Sequence, residues 1–337
     1  MATPDRALVR WCLIATAAGA SAALSPPMSA MAMTGPGMMG GMVESPPGPM
    51  DSMMGSMWAL MSWMNGADLD GTPSSPEPPI EPALLAVGQR SYSAHCAACH
   101  GEKGDGKGLQ AGRLSPRPRD FTTGVYELRS TPTGSLPTDQ DLFETISRGI
   151  HGTAMVPWIA LPEHERWALV AWLESFSKRF AEEPPGPAVV VPSAPPETPA
   201  LVERGRVLYQ RMSCASCHGI SGRGDGPSAA TLQDQAGRPA HPTDLTQGRF
   251  ERGSGMADIF LTLRTGMDGS PMPAWGTALS PDETWALAAY VRRLLSRPQP
   301  GPAMGCPMMT GSADRQEQAG MMIDMPGMPM GGMRMNP

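Results

Sequence analysis

Apolar positions recur at helical spacing in two separated stretches, and the elements they predict come in the same order each time. Residues 83–94 and 200–213 have helix-like apolar spacing and lead into a pair of cysteines. Asp139-Gln140-Asp141 and Met256-Ala257-Asp258 open a middle helix that ends near Gly149 and Gly266. Pro162 to Phe180 and Pro281 to Leu295 begin with Pro and acidic residues, then run apolar at helical spacing. Little in either stretch alternates with period two, so the pattern predicts an all-α protein built of small units with long loops. The amino terminus differs in kind. Arg6 and Arg10 precede an apolar run from Trp11 to Leu24, and Ala20-Ser21-Ala22 supplies small residues of the cleavage type. Residues 1–24 therefore read as a signal peptide, with an uncleaved anchor as the alternative, and the mature protein is expected in the periplasm.

The two stretches are copies of one module. Gly88 and Tyr92 correspond to Gly205 and Tyr209, Gly104-Asp105-Gly106 to Gly224-Asp225-Gly226, and Asp141-Leu142-Phe143 to Asp258-Ile259-Phe260. Gly149, Gly152, Met155 and Trp158 match Gly266, Gly269, Met272 and Trp275, and Trp167-Ala168-Leu169 matches Trp285-Ala286-Leu287. The modules are placed at 82–181 and 200–297. Between them, residues 182–199 hold seven prolines, which resist helix and sheet and favour an extended, semi-rigid linker. The Gly/aromatic pairs of the first helices are expected to allow close approach to the last helices, with Trp172 and Tyr290 facing them.

Composition narrows the function. With 26 Lys+Arg against 32 Asp+Glu the net charge is -6, which argues against nucleic acid as a partner. The chain has 39 Gly, 38 Pro and 28 Met and only 17% charged residues, so folded modules are expected to share it with disordered segments at 25–81 and 298–337.

The chemistry lies in Cys96-Ala97-Ala98-Cys99-His100 and Cys214-Ala215-Ser216-Cys217-His218. In C-x-x-C-H the two thiols add across the haem vinyl groups and the adjacent His reaches the iron. Zinc is disfavoured, because neither module holds a second Cys/His cluster to complete four ligands. The motifs thus predict two covalently bound haem c groups, on Cys96 and Cys99 with His100, and on Cys214 and Cys217 with His218. Met155 and Met272 occupy equivalent loops after a Gly-rich turn, three residues before Trp, and are the candidate sixth ligands; a thioether there favours electron transfer over oxygen chemistry. His151, His164 and His241 have no His counterparts in the other module and read as surface or loop residues. Pro118 and Pro242 are candidates to offer a carbonyl to the ligand histidines.

These features resemble class I c-type cytochromes, and the tandem pair is similar to the two-domain dihaem cytochromes of bacterial respiration. The resemblance rests on the Gly/aromatic first helix, C-x-x-C-H-G with a following Gly-Asp-Gly, the Gly-rich Met-x-x-Trp loop and the Trp-Ala-Leu last helix. It implies His100/Met155 and His218/Met272 ligation. It also implies single-electron transfer between redox partners such as a respiratory dehydrogenase or oxidase complex, with association to a membrane complex among the options. A catalyst, for instance a dihaem peroxidase or a sulfur-compound oxidoreductase, would need an open iron or a reactive side chain over the haem, and neither is plain in the sequence.

The ends add one more reading. Residues 28–64 hold 12 methionines and 304–335 hold ten, and clustered thioethers are soft ligands suited to Cu(I). Cys306, flanked by Met304, Met308 and Met309, is the best single copper candidate and underlies an alternative reading as a copper-handling protein. The plainer reading, adaptable tails that touch a partner or a membrane, is preferred. Copper handling predicts Cu(I) uptake that is lost on deleting 25–80 and 300–337; a titration showing no uptake by the full chain excludes it.

Overall fold

The computed structural model describes residues 49–295, and the architecture there is helical. Among the described residues there is no β-strand, only an isolated bridge between Gln233 and Pro239. The signal segment with Cys12, and the Met-rich tail with Cys306, lie outside the described residues.

Helices α1 (Pro49–Met64), α2 (Pro82–His95), α3 (Ala97–His100), α4 (Asp139–Arg148), α5 (Glu163–Glu174) and α6 (Arg179–Glu182) precede the linker. The second domain holds α7 (Pro199–Arg211), α8 (Ala215–His218), α9 (Met256–Thr265) and α10 (Pro281–Leu294). Capping boxes start two of these helices. Thr138 and Asp141 exchange side-chain and backbone hydrogen bonds at α4, as do Ser280 and Glu283 at α10. The expected helix from Pro162 to Phe180 breaks after Glu174. Ser175 Oγ donates to the Trp172 carbonyl at 2.6 Å, and the chain turns before resuming as α6.

Each domain is organised by the crossing of its first and last helices. A Cβ at Gly88 would run into the Ala168 carbonyl and lie 2.9 Å from Trp172 Cβ. At Gly205 it would run into the Ala286 carbonyl and lie 2.7 Å from Tyr290 Cβ. The absence of a side chain lets α2 meet α5, and α7 meet α10, backbone to backbone, as the Gly/aromatic pairing predicts. The cores form around these crossings. Tyr92, Phe143, Trp167 and Leu169 are buried in the first domain, and Tyr209, Phe260, Trp285 and Leu287 in the second. Phe143 on Trp167 and Phe260 on Trp285 repeat the same tilted ring pair, each at 4.3 Å.

Residues 183–198 of the linker run without helix or strand, and their middle is attached to both domains. Val189 N–H donates to the Ser130 carbonyl at 2.7 Å, and Val191 packs on the core of the second domain. The domains also meet directly. Arg129 is fully buried and reaches across to the Thr265 carbonyl (2.7 Å) and Asp268 (2.8 Å), while Arg252 donates to the Arg129 carbonyl (2.7 Å). Asp268 also accepts from Thr133 Oγ1 (2.6 Å) and Gly134 N–H (2.7 Å).

Part of the amino-terminal segment read as disordered carries structure. In the last turn of α1, Trp63 is buried and stacks on His151 at 5.0 Å; beyond α1, Asp68 lies 3.4 Å from His151 Nε2 and accepts from Ser254 of the second domain at 3.0 Å. Glu163 then accepts from the Ser74 and Ser75 amides at 3.0 and 2.9 Å. His151 is therefore a buried residue and not a surface one, because a segment distant in sequence covers it. Met57, Trp58, Met61 and Met64 of α1 remain exposed.

Gly205→Val is expected to destabilise the second domain by about 3 kcal/mol, since backbone on the facing helix cannot yield as a side chain could. Thermal unfolding followed by circular dichroism measures the shift, and an unchanged midpoint would refute the close crossing.

Candidate functional site

Each cysteine pair sits on a single helical turn that grows out of the first helix. In the first domain Cys96 N–H donates to the Tyr92 carbonyl (2.8 Å) and His100 N–H to the Cys96 carbonyl (2.9 Å). Helical geometry places residues three and four apart on one face, so Cys96, Cys99 and His100 face the same side. The second domain repeats this, with His218 N–H on the Cys214 carbonyl at 2.9 Å. The turn is tied down by the helix-crossing aromatics: Tyr92 Oη donates to the Gly101 carbonyl and Tyr209 Oη to the Gly219 carbonyl, both at 2.7 Å. The four thiols are free of disulfides. Burial, then the neighbouring Cys99, pushes the Cys96 thiol up to about 12, and burial pushes the Cys214 thiol up to about 11.

The histidines are held by one ring nitrogen. His100 Nδ1 donates to the Arg119 carbonyl and His218 Nδ1 to the Thr243 carbonyl, each at 3.1 Å. The carbonyls thus belong to the residues after Pro118 and Pro242, one position beyond the expected ones. The proline carbonyls lie instead against Gly106 and Gly224, where an added Cβ would come within 2.7 and 2.5 Å of them, so Gly106 is matched in the fold by Gly224 and not by Gly226 as the Gly-Asp-Gly alignment expects. Burial lowers both histidines toward the neutral imidazole, which leaves Nε2 as the donor atom a metal would use. Phe121 stacks on the His100 ring at 4.5 Å; the matching position in the second domain is Leu245.

The two methionine loops are the same turn. Ile150 N–H donates to the Met155 carbonyl (2.9 Å) and Met155 N–H to Thr153 Oγ1 (3.0 Å); Met267 N–H donates to the Met272 carbonyl (3.1 Å) and Met272 N–H to Ser270 Oγ (3.2 Å). Gly149 (φ 68°) and Gly266 (φ 66°) open the loops in the left-handed region, and Trp158 and Trp275 close them on the Ile146 and Leu263 carbonyls.

One cavity of about 1460 Å³ brings these parts together. It is lined by Cys96, Cys99, His100 and Met155 of the first domain and by Cys214, Cys217, His218 and Met272 of the second. A single small-ligand site spans roughly 300–1,000 Å³, so this space is larger than one such site and is continuous between the domains. Its walls are mostly apolar, with Phe121, Leu142, Ile146 and Trp158 among them, and Arg117, Arg119, Arg238 and Arg249 on the polar side. Three buried polar atoms in the lining have no hydrogen-bond partner: Tyr126 Oη, Trp275 Nε1 and Glu251 Oε2. Apolar walls, guanidinium groups and the unpartnered Tyr126 and Trp275 donors fit a macrocycle that carries carboxylate side chains.

Fold and site define a tandem class I c-type cytochrome, whose domains carry covalently bound haem c. The family described as cytochrome C oxidase, cbb3-type, subunit III, matches twice, at residues 83–173 and 200–291, more than half of the chain, and the chain belongs to it. It is 26% identical over 219 residues to the cbb3-type cytochrome c oxidase subunit FixP of Azorhizobium caulinodans, covering 63% of this chain and 62% of that protein. It is 25% identical over 226 residues to the subunit CcoP of Azospirillum brasilense, covering 63% of each. The chain thus spans a little over three-fifths of the length of these relatives. Among solved structures it matches a chain of the Kuenenia stuttgartiensis reducing HAO-like protein complex, at 41% identity and a TM-score of 0.63, covering 66% of this chain and all of that one. Among the described residues no helix is long and apolar enough to cross a membrane.

Arg129→Ala would leave Asp268 and the Thr265 carbonyl without their cation and is expected to cost on the order of 3 kcal/mol, because removing one partner of a buried pair strands the other. Denaturant unfolding monitored separately by circular dichroism and haem absorption measures it. Unchanged stability would show that the domains are not held through Arg129.

Proposed function

We propose that the chain is a dihaem electron-transfer subunit, exported to the periplasm, that passes electrons one at a time to a larger redox complex. The observation that carries this reading is the single cavity lined by both attachment motifs and both methionine loops. In this reading Cys96 and Cys99, and Cys214 and Cys217, hold the two groups through thioether bonds. His100 and His218 would ligate the iron through Nε2, and Met155 and Met272 would supply its thioether ligands. Haem c, when bound, supplies a reversible one-electron iron couple. The chain's own residues do the rest. Arg119 and Thr243 carbonyls orient the imidazoles, the twin loops present the thioethers, and the apolar walls limit water.

A carrier is favoured over a peroxidase or another haem enzyme because both loops present a methionine in the same hydrogen-bonded turn, so neither site is built to stay open. Support for a subunit role comes from the relatives, since FixP and CcoP are named as oxidase subunits and the solved match belongs to a protein complex. Export is supported by the charged and apolar pattern of residues 1–24. Cys306 and most of the methionines invoked for copper lie outside the described residues, and copper handling gains no support from the site.

The test is haem stoichiometry. The chain is expected to carry two covalent haems, and the double variant Cys214→Ser with Cys217→Ser about half that amount, with the first domain still redox-active. A pyridine haemochrome assay on purified protein measures it. An unchanged haem content in the double variant would overturn the assignment.

A further inference from the structure

One acidic residue of the repeat has different surroundings in its two copies. Glu127 and Glu251 occupy matching places, following the loops Asp120 to Gly124 and Asp244 to Gly248 at one common offset. Both line the shared cavity, and they lie close enough to repel one another. In the first domain Arg119 forms an ion pair with Glu127. The position equivalent to Arg119 in the second domain is Thr243, so the repeat supplies Glu251 with no cation of its own. Its Oε2 is buried and has no hydrogen-bond partner.

The other charges nearby do not repair this. Arg252, the next residue, directs its guanidinium to the Arg129 carbonyl. Asp244, in the preceding loop, accepts from Thr246 and Gln247. Arg249 lines the cavity without an ion pair to Glu251 among those the described residues form. The charged groups that act on Glu251 are Glu127 and Arg119. Burial disfavours the carboxylate most, Glu127 adds to that, and Arg119 opposes it, so the carboxyl is held well above the ordinary carboxylate range.

We propose that Glu251 is a redox-linked proton site, taking one proton from water when an electron enters the cavity that it lines and releasing it when the electron leaves. The inference rests on the electron-transfer reading, whose donor supplies the electron. The balance is simple. One negative charge arrives in the cavity, one proton converts the Glu251 carboxylate to the acid, and the net charge of the region is unchanged. In a poorly polar cavity an added electron repels a nearby carboxylate far more than it would in water, which drives the uptake. Linkage then fixes the sign: if reduction raises the affinity for a proton, added proton favours reduction, and the reduction potential falls as pH rises through the titration of the site. Tyr126 Oη, also buried and unpartnered at the cavity wall, cannot substitute for it, because burial raises the phenol and keeps it protonated in both redox states.

The experiment is a potentiometric titration of the haem-loaded full chain, followed by haem absorption from about pH 5 to pH 9. The native chain is expected to show a potential that falls with rising pH above the ordinary carboxylate range. Glu251→Gln should flatten that segment. Glu127→Gln should keep it but move it to lower pH, because the repelling charge is gone and Arg119 is released. Redox-difference infrared spectra of the native chain provide a check that does not depend on the variants folding. A protonated-carboxyl band should grow on reduction, and its absence would overturn the proposal. Reversible haem titrations with the same pH dependence in the native chain and Glu251→Gln would overturn the proton site while leaving the carrier reading intact. Absence of reversible one-electron steps at every pH would overturn the carrier reading and this inference with it.

Discussion

The backbone crossing at Gly88 and Gly205 is the constraint on which the rest of each domain depends. With no Cβ there, the first helix lies against the Ala168 or Ala286 carbonyl of the last. That contact places Tyr92 and Tyr209 where each hydroxyl holds the carbonyl that follows its Cys-His turn. The turn in turn fixes the imidazole, whose Nδ1 is taken by a backbone carbonyl of the next loop. The middle and last helices, which flank the methionine loop in sequence, are joined by the paired Phe and Trp rings. A side chain at either glycine would therefore be felt at the site, although neither glycine touches it.

The repeated parts were legible because each is local. Helix spacing, capping residues and the C-x-x-C-H spacing act within a few residues, and two copies in one chain made coincidence a poor explanation. The methionine loops stood out among 28 methionines only because Met155 and Met272 hold matching positions. What stayed hidden depends on contacts between distant segments. His151 lies on a loop as expected, but its burial stayed hidden, because nothing near it in sequence announces that Trp63 and Asp68 will cover it. The carbonyls that accept from His100 and His218 lie one residue past the prolines, a difference set by how the loop meets Gly106 and Gly224. The joining of the two crevices depends on Arg129 reaching Thr265 and Asp268, more than a hundred residues away.

The copies are alike in architecture and unlike in detail, and the differences gather around the shared cavity. Phe121 stacks on His100 where the second domain has Leu245, Tyr126 stands where it has Phe250, and Arg119 where it has Thr243. The position of His151, which binds the amino-terminal segment, is filled in the second domain by Asp268, which binds the first domain. One scaffold thus provides two environments of different polarity, and polarity and hydrogen bonding are the means by which a protein sets a haem potential. Two unequal sites on one cavity suit stepwise passage of single electrons better than a reaction at one centre.

The most direct test of this account is the absorption spectrum of the oxidised and reduced chain, repeated under carbon monoxide. Two irons each closed by His and Met predict low-spin spectra, a methionine–iron charge-transfer band in the oxidised state and no change with carbon monoxide. A high-spin component, or carbon monoxide binding at either iron, would contradict the account and show a site open to substrate.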